Sequence, residues 1–161
     1  MKRMLMTMTV MLMVSSMMFG QTYSGGSGTS EAPYQIANKA DLKYLSENSG
    51  EWSKHFIQTA DITFQAVDFE EGRDFYNDGM GFKRIGDDYD NYYSGSYDGQ
   101  GHVIDGLVIH PEEEMYGEMY PESYVGFFGS THTDAEISNL GITNCSSILH
   151  VLPLYLRRHL C

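Results

Sequence analysis

Short segments that alternate apolar and polar residues recur along the chain, and such alternation predicts β-strands. The segments with this pattern are 33–37, 55–64, 102–110, 124–128 and 137–143. A further short strand is predicted near 81–85. The segment 102–110 is interrupted by Asp105 and Gly106, residue types that favour turns. The pattern therefore predicts an all-β fold built from short strands.

One segment has helical instead of alternating spacing. Leu42 and Leu45 lie three residues apart, which places them on one face of a helix. Asn38 is suited to cap the first turn, and residues 48–50 contain Asn and Gly, which end helices. We therefore predict a short amphipathic helix at 39–48 that covers an open end of the β structure.

Two stretches show little periodicity. Residues 21–32 are rich in Gly and Ser and predict a flexible leader. Residues 65–100 hold many acidic and aromatic residues and predict a long loop or insertion. Loops of that length usually carry function or are disordered, so this segment is a candidate location for a functional site.

Residues 1–20 are typical of a cleaved secretory signal peptide. Lys2 and Arg3 precede an apolar run at 5–19, and Gly20 is a small residue at the expected cleavage point. An uncleaved anchor is the alternative, but the run is shorter than the ~20 residues that a membrane-spanning helix needs. We therefore expect a secreted or cell-surface protein whose mature chain does not insert into the membrane.

The charge distribution is one-sided. All 22 acidic residues lie between Glu31 and Glu136, where only six basic residues occur, and the difference gives this region a net charge of −16. Such a surface repels nucleic acid, so no nucleic-acid partner is expected. Cys145 and Cys161 are the two cysteines, too few for a disulfide framework.

Three short stretches suggest a loose internal repeat, in which a small or polar pair precedes an aliphatic residue. The aliphatic residues predicted to stack inside are Ile62, Leu107 and Leu140. The residues predicted to share one turn column are Asp61, Gly106 and Asn139. A repeat of this kind favours stacked coils of a solenoid over a closed sandwich.

Several segments resemble the repeat region of bacterial GLUG-motif proteins. The matching segments are SGGSGTSEAPYQIANKADLKYLS (24–46), FIQTADITF (56–64), FKRIG (82–86), YSGSYDGQGHVIDGLVI (93–109), YVGFFG (124–129) and AEISNLGIT (135–143). That group includes secreted or surface adhesin-like proteins and the non-catalytic regions of IgA-specific metallopeptidases. The resemblance implies a right-handed parallel β-helix over 33–146, with the insertion at 65–100 and the short helix as its N-terminal cap.

The composition changes abruptly after Ser146. Residues 147–161 contain no acidic residue and no Gly, whereas the preceding region is rich in both. Members of the GLUG group usually continue through further repeats. We therefore favour a truncated chain whose tail is a frameshifted or foreign reading, and the alternative is a basic, apolar terminal helix that covers the last coil.

Two acidic clusters are candidate calcium sites. One comprises Asp87, Asp88, Asp90 and Asp98, and the other comprises Asp68, Glu70, Glu71, Asp74 and Asp78. Calcium takes six to eight oxygen ligands, but neither cluster has the spacing of an EF-hand loop. We interpret both as solvated loops and assign no metal ligand.

No catalytic motif is evident in the sequence. There is no H-E-x-x-H, G-x-S-x-G or P-loop pattern. Asp61 and Asp105 are candidates for acid/base work on a glycan if they lie on adjacent coils. Hydrogen bonding of the backbone at turns explains these residues equally well, so we predict a protein that is not an enzyme and needs no cofactor.

Aromatic residues crowd the loop at 75–97. Exposed Tyr beside Asp and Asn suits sugar binding, and Tyr89 and Tyr92 are the candidate glycan contacts. The alternative is that aromatic residues such as Phe82, Tyr93 and Tyr97 pack against the solenoid.

The sequence as a whole favours a non-enzymatic secreted or cell-surface β-solenoid segment with an adhesin-like binding or structural role. Its expected partners are host or environmental glycans or surface proteins. Two alternatives stay open. One is an accessory, non-catalytic region of a larger exported hydrolase or peptidase, and the other is a small β-helix enzyme that acts on polysaccharides.

Overall fold

The computed structural model describes residues 23–87, 90–110 and 126–146. The predicted signal peptide at 1–20, Asp88, Tyr89 and the atypical tail at 147–161 lie outside the described residues.

Within these ranges the strands form two sheets in which every pairing between strands is parallel. The strands are β1 (Tyr34–Ile36), β2 (His55–Gln58), β3 (Ile62–Thr63), β4 (Ser96–Asp98), β5 (Val103–Asp105), β6 (Glu136–Ser138) and β7 (Gly141–Thr143). One sheet has the order β1-β2-β4-β6, and the other has the order β3-β5-β7. From β2 onward the chain therefore alternates between the two sheets, and each strand pairs with the corresponding strand of the neighbouring passage.

The register places apolar residues of successive passages above one another. In the first sheet, Phe56 pairs with Tyr97, which pairs with Ile137. In the second sheet, Ile104 lies between Ile62 and Ile142. The spacing between these paired residues is 38 to 42 residues in both sheets. Each passage of that length is called a coil below.

This register corrects the predicted repeat columns. The interior column contains Ile62, Ile104 and Ile142, not Leu107 or Leu140. Leu107 is buried, but it follows β5, and Leu140 lies in the turn between β6 and β7. The predicted turn column of Asp61, Gly106 and Asn139 is wrong for the same reason. The repeat was aligned on turn residues, whereas strand residues that point inward determine the pairing.

Strand boundaries differ from the predictions where the chain passes from one sheet to the other inside a single apolar segment. The segment 55–64 contains β2 and β3, and the segment 137–143 contains most of β6 and all of β7. Each segment therefore contributes to both sheets. Strand β4 lies inside the predicted loop at 65–100. The predicted strand near 81–85 consists of isolated bridges, one of which joins Ile85 to Phe128.

The predicted helix is confirmed as α1 (Lys39–Glu47). The Asn38 side chain accepts a hydrogen bond from the Asp41 N–H at 3.1 Å, which caps the first turn. Leu42 and Leu45 are fully buried. The indole N–H of Trp52 donates to the Leu45 carbonyl oxygen at 2.8 Å, so the helix is fixed to the core by both apolar and polar contacts.

The predicted flexible leader is a packed segment from Tyr23 onward. The Tyr23 ring is 7% exposed and lies 4.4 Å, centroid to centroid, from the ring of Tyr34. The Ser24 N–H donates to the Gln35 carbonyl oxygen, and the Gln35 N–H donates to the Gly25 carbonyl oxygen. Residues 24–25 therefore cover the outer edge of β1, a contact that Gly/Ser composition alone did not predict.

Close approach of the coils explains why Gly86 tolerates no side chain. Its φ is +78°, a conformation that residues with a Cβ rarely adopt. A Cβ at this position would also collide with the carbonyl oxygen of Ser130. The Ser130 N–H donates to the Gly86 carbonyl oxygen at 2.9 Å, so the two coils are joined at this point through their backbones.

Candidate functional site

Three aspartates accept hydrogen bonds from the coil that follows them in the sequence. Asp61 accepts from the Val103 N–H at 2.9 Å, and its carboxylate also contacts His102 Nδ1 at 3.2 Å. The two further contacts of this kind join Asp98 to Asn139 Nδ2 at 2.9 Å, and Asp105 to Thr143 Oγ1 and Asn144 Nδ2 at 2.7 Å each. These exposed carboxylates hold successive coils together.

The hydrogen bonds also keep these carboxylates ionised. The pKa of Asp61 is lowered chiefly by the Val103 N–H, with a further contribution from His102. The pKa of Asp105 is lowered chiefly by the Thr143 hydroxyl and then by the Asn144 amide. A general acid needs a raised pKa, so neither member of this candidate pair has the environment of a catalytic acid.

The candidate calcium clusters do not converge in the part of the chain that the structure describes. No group of three or more His, Cys, Asp or Glu side chains lies at metal-binding distances there. Asp68 instead contacts Lys39 Nζ at 2.6 Å and accepts from the Gln65 N–H at 2.7 Å. Burial raises the pKa of Asp68, but these hydrogen bonds outweigh it and lower the pKa overall. Asp68 therefore fastens the loop to α1.

Two fully buried tyrosines have different polar surroundings. The Tyr97 hydroxyl donates to Gln58 Oε1 at 3.1 Å, and Gln58 Nε2 donates to the Ala60 carbonyl oxygen at 2.9 Å. The Tyr93 hydroxyl has no hydrogen-bond partner among the described residues. Burial raises the pKa of both phenols. Tyr93, Tyr97 and the buried Phe82 thus pack in the interior, as the alternative for the aromatic loop predicted.

Tyr92 differs from every other Tyr, Phe and Trp of the described residues because it is exposed. Its side chain is 40% exposed and stacks on His132, with ring centroids 4.8 Å apart and the planes at 27°. The carboxylate of Asp134 lies 3.1 Å from His132 Nδ1. The structure therefore places His132 and Asp134 beside Tyr92, one of the two predicted glycan contacts, whereas Tyr89 lies outside the described residues.

Sequence reasoning missed His132 because it treated the aromatic loop in isolation. The coil spacing was the signal that could have found it, since His132 follows Tyr92 by 40 residues and Ile137 follows Tyr97 by the same number. Knowledge of the register would have placed the two rings on neighbouring coils.

The described surface also has two depressions. One is shallow and lies between neighbouring corners, where Gln100, Asn139 and Leu140 line it. The other lies between α1 and the loop, where Lys43, Asp74 and Lys83 contribute charges of both signs. Neither depression includes Tyr92 or His132.

Comparison with known proteins finds two long relatives. The chain is 34% identical to halomucin of Haloquadratum walsbyi over 123 residues, which are 75% of this chain and 1% of that protein. It is also 31% identical to a putative Gly-rich membrane protein of Evansella cellulosilytica over 121 residues. These residues are 75% of this chain and 12% of that protein. The chain therefore resembles a small part of each of two much longer proteins.

No family model matches the chain, and no solved structure matches it. None of the helices in residues 23–87, 90–110 and 126–146 has the length and apolar composition of a membrane-spanning segment.

Proposed function

We propose that this chain is a non-enzymatic β-solenoid segment of a secreted or cell-surface protein, with an adhesin-like or structural role. The observation that carries the proposal is the parallel pairing in both sheets, which from β2 onward has a spacing of 38 to 42 residues. A chain that returns to the same two sheets at this interval adds one layer with each coil. That is how solenoid proteins build extended surfaces.

The solenoid is best described as a right-handed parallel β-helix of the GLUG type. Parallel strands of one sheet that are joined by a crossover connection are right-handed in about 98% of cases. The GLUG assignment is supported by the order of YDGQGHVIDGLVI, YVGFFG and ISNLGIT along the chain. Two of these segments contribute β5, β6 and β7, which are consecutive strands of the stack.

Location outside the cytoplasm is supported by two observations. The first is the signal-like composition of residues 1–20. The second is similarity to a protein described as a Gly-rich membrane protein. Protease treatment of intact cells that produce the full chain tests this location. We expect the protein to be digested or found in the medium, and full protection in intact cells together with digestion in lysed cells would contradict the proposal.

Cross-linking across neighbouring coils tests the stack itself. Ser96 pairs with Glu136, so Ser96→Cys combined with Glu136→Cys should form a disulfide in a background with Cys145→Ser and Cys161→Ser. The matched control combines Ser96→Cys with Ser138→Cys, which lies two residues out of register on the same strand. Equal cross-linking of the two pairs, measured by mass spectrometry after proteolysis, would show that the register is not the proposed one.

The non-enzymatic part of the proposal is supported by the hydrogen bonds that Asp61 and Asp105 accept from the next coil, which also lower the pKa of both carboxyl groups. Incubation of the full chain with a panel of polysaccharides should release no reducing ends. Release that is abolished in the Asp61→Asn or the Asp105→Asn variant would instead establish the polysaccharide-acting enzyme.

A further inference from the structure

We propose that Tyr92, His132 and Asp134 form a binding site for the ring of a neutral sugar on the side of the solenoid. In this site the sugar ring stacks on the exposed aromatic surface, and the Asp134 carboxylate accepts hydrogen bonds from the sugar hydroxyls. The proposal goes beyond the solenoid segment proposed above, because a solenoid of this kind can be purely structural.

The exposure of Tyr92 is the first argument. Apolar and aromatic side chains gain free energy from burial, and the other Tyr, Phe and Trp residues of the described ranges are buried or half-buried. Tyr92 is 40% exposed, although the next residue, Tyr93, is fully buried. An exposed aromatic ring beside polar groups is typical of a binding surface.

The second argument is that the backbone holds the two rings in place. The Tyr93 N–H donates to the Ser130 carbonyl oxygen at 2.9 Å, and the His132 N–H donates to the Tyr93 carbonyl oxygen at 2.8 Å. His132 is part of this ladder of backbone hydrogen bonds, and Tyr92 is adjacent to it. The ladder joins two neighbouring coils. The backbone at both residues is therefore ordered before a ligand binds. Binding then costs little backbone conformational entropy, which favours affinity.

The third argument is the chemistry around the rings. The Asp134 side chain is 81% exposed, and its Oδ2 atom lies 3.1 Å from His132 Nδ1. The Asp134 N–H donates to the same His132 nitrogen at 3.3 Å, which fixes the residue beside the ring. A carboxylate accepts hydrogen bonds through two oxygens, so the oxygen that faces away from His132 can accept from a hydroxyl. The combination of an aromatic face and a carboxylate beside it matches the apolar face and the hydroxyl rim of a pyranose.

Charge narrows the class of sugar. The region from Glu31 to Glu136 has six basic residues against 22 acidic ones, a net charge of −16. A field of this sign repels sulfated, phosphorylated and sialylated glycans. The site therefore suits neutral hexoses rather than polyanionic glycans.

Binding of the full chain to an array of neutral and of sulfated or sialylated oligosaccharides tests the site. We expect the wild-type protein to bind neutral glycans only, and Tyr92→Ala to weaken that binding by about tenfold, the size of an aromatic contact. Tyr92→Phe keeps the ring and should bind within about threefold of wild type. Val67→Ala is the matched control, since Val67 is a similarly exposed apolar side chain at 38%.

The thermal unfolding midpoint separates a binding role from a structural one. Loss of glycan binding in Tyr92→Ala with an unchanged midpoint supports the site. A lowered midpoint with unchanged binding per folded molecule would show that the stack only joins two coils, and would overturn the proposal. If Tyr92→Ala does not fold, Asp134→Ala replaces it, because this exposed side chain can be removed without disturbing the core. Wild-type binding to no neutral glycan, or unchanged binding in Asp134→Ala, would also overturn the proposal.

The outcome is independent of the solenoid proposal. Cross-linking between Ser96→Cys and Glu136→Cys reports the stack whether or not a glycan binds, so failure of one proposal can be told from failure of the other.

Discussion

The coils in the middle of the stack and the last described coil contain the same inward-facing columns in very different surroundings. Phe56 and Tyr97 are at most 1% exposed, whereas Ile137, the next residue of their column, is 42% exposed. Ile62 and Ile104 are at most 3% exposed, whereas Ile142 is 38% exposed. The side chains are apolar throughout. The buried residues of each column are covered by the next coil, whereas no described strand lies beyond β6 and β7.

The two ends of the stack differ in the same way. At the beginning, residues 24–25 pair with β1, and α1 buries Leu42 and Leu45 against the first coils. At the other end, the outer edges of β6 and β7 pair with no described strand. A coil that no strand covers exposes both apolar side chains and unpaired backbone groups. The comparison therefore shows that burial, and with it stability, is unevenly distributed along the stack.

The largest expected effect comes from shortening one isoleucine of a single column. Ile104→Ala should lower the free energy of unfolding by about 2–5 kcal/mol, because it leaves a cavity between two coils. Ile142→Ala removes the same atoms from a side chain that is 38% exposed, and we expect a loss below about 1 kcal/mol. Chemical denaturation of both variants measures the difference. Equal losses would mean that Ile142 is as well covered in solution as Ile104.

A smaller effect is expected from removing one hydroxyl group inside the stack. Tyr97→Phe leaves Gln58 Oε1 without its donor, which should cost about 1–2 kcal/mol. Tyr93→Phe removes a buried hydroxyl that has no partner among the described residues, so the free energy of unfolding should stay the same or rise. The two substitutions are chemically identical, and urea unfolding at one pH compares them. A loss in Tyr93→Phe as large as that in Tyr97→Phe would contradict the assignment.

The smallest expected effect concerns the polar contacts of the last described coil, which contains β6 and β7. The pKa of Asp105 is lowered by Thr143 and Asn144, which both belong to the last described coil. A lowered folded-state pKa contributes stability above the unfolded value of about 3.9, and this contribution is lost as the pH falls through the folded-state pKa.

Asp105→Asn keeps an acceptor for these hydrogen bonds but removes the charge. The wild-type protein should therefore lose more stability than Asp105→Asn when the pH is lowered from neutral to below about 4. Denaturant titrations at a series of pH values measure this difference. Identical pH profiles for the two proteins would show that the carboxylate does not hold the last coil in its charged form.

The elements with local signals were predictable from sequence. Asn38 and the Leu42–Leu45 spacing identified α1 because capping and helical periodicity act over a few residues. The alternation in 55–64 found the apolar residues of β2 and β3 but not the corner between them. Strand β4 was not predicted because its three residues lie among glycines and acidic residues.

Long-range pairing was the part that sequence could not supply. Ile62 and Ile104 are 42 residues apart, and nothing near either residue identifies its partner. The candidate site shows the same division. Tyr92 was found from its polar neighbours, but His132 belongs to the next coil and could be found only once the coil length was known.

The register of the strands is independent of the number of residues between them. Tyr34 and Phe56 pair after 22 residues, whereas Ile62 and Ile104 pair after 42, and both steps raise the stack by one strand spacing of about 4.8 Å. Insertions and deletions in the connecting segments therefore change the cross-section of the molecule and leave its length along the stack unaltered. During evolution such a gene can gain or lose surface loops freely, while duplication or deletion of a whole coil is the change that alters its length.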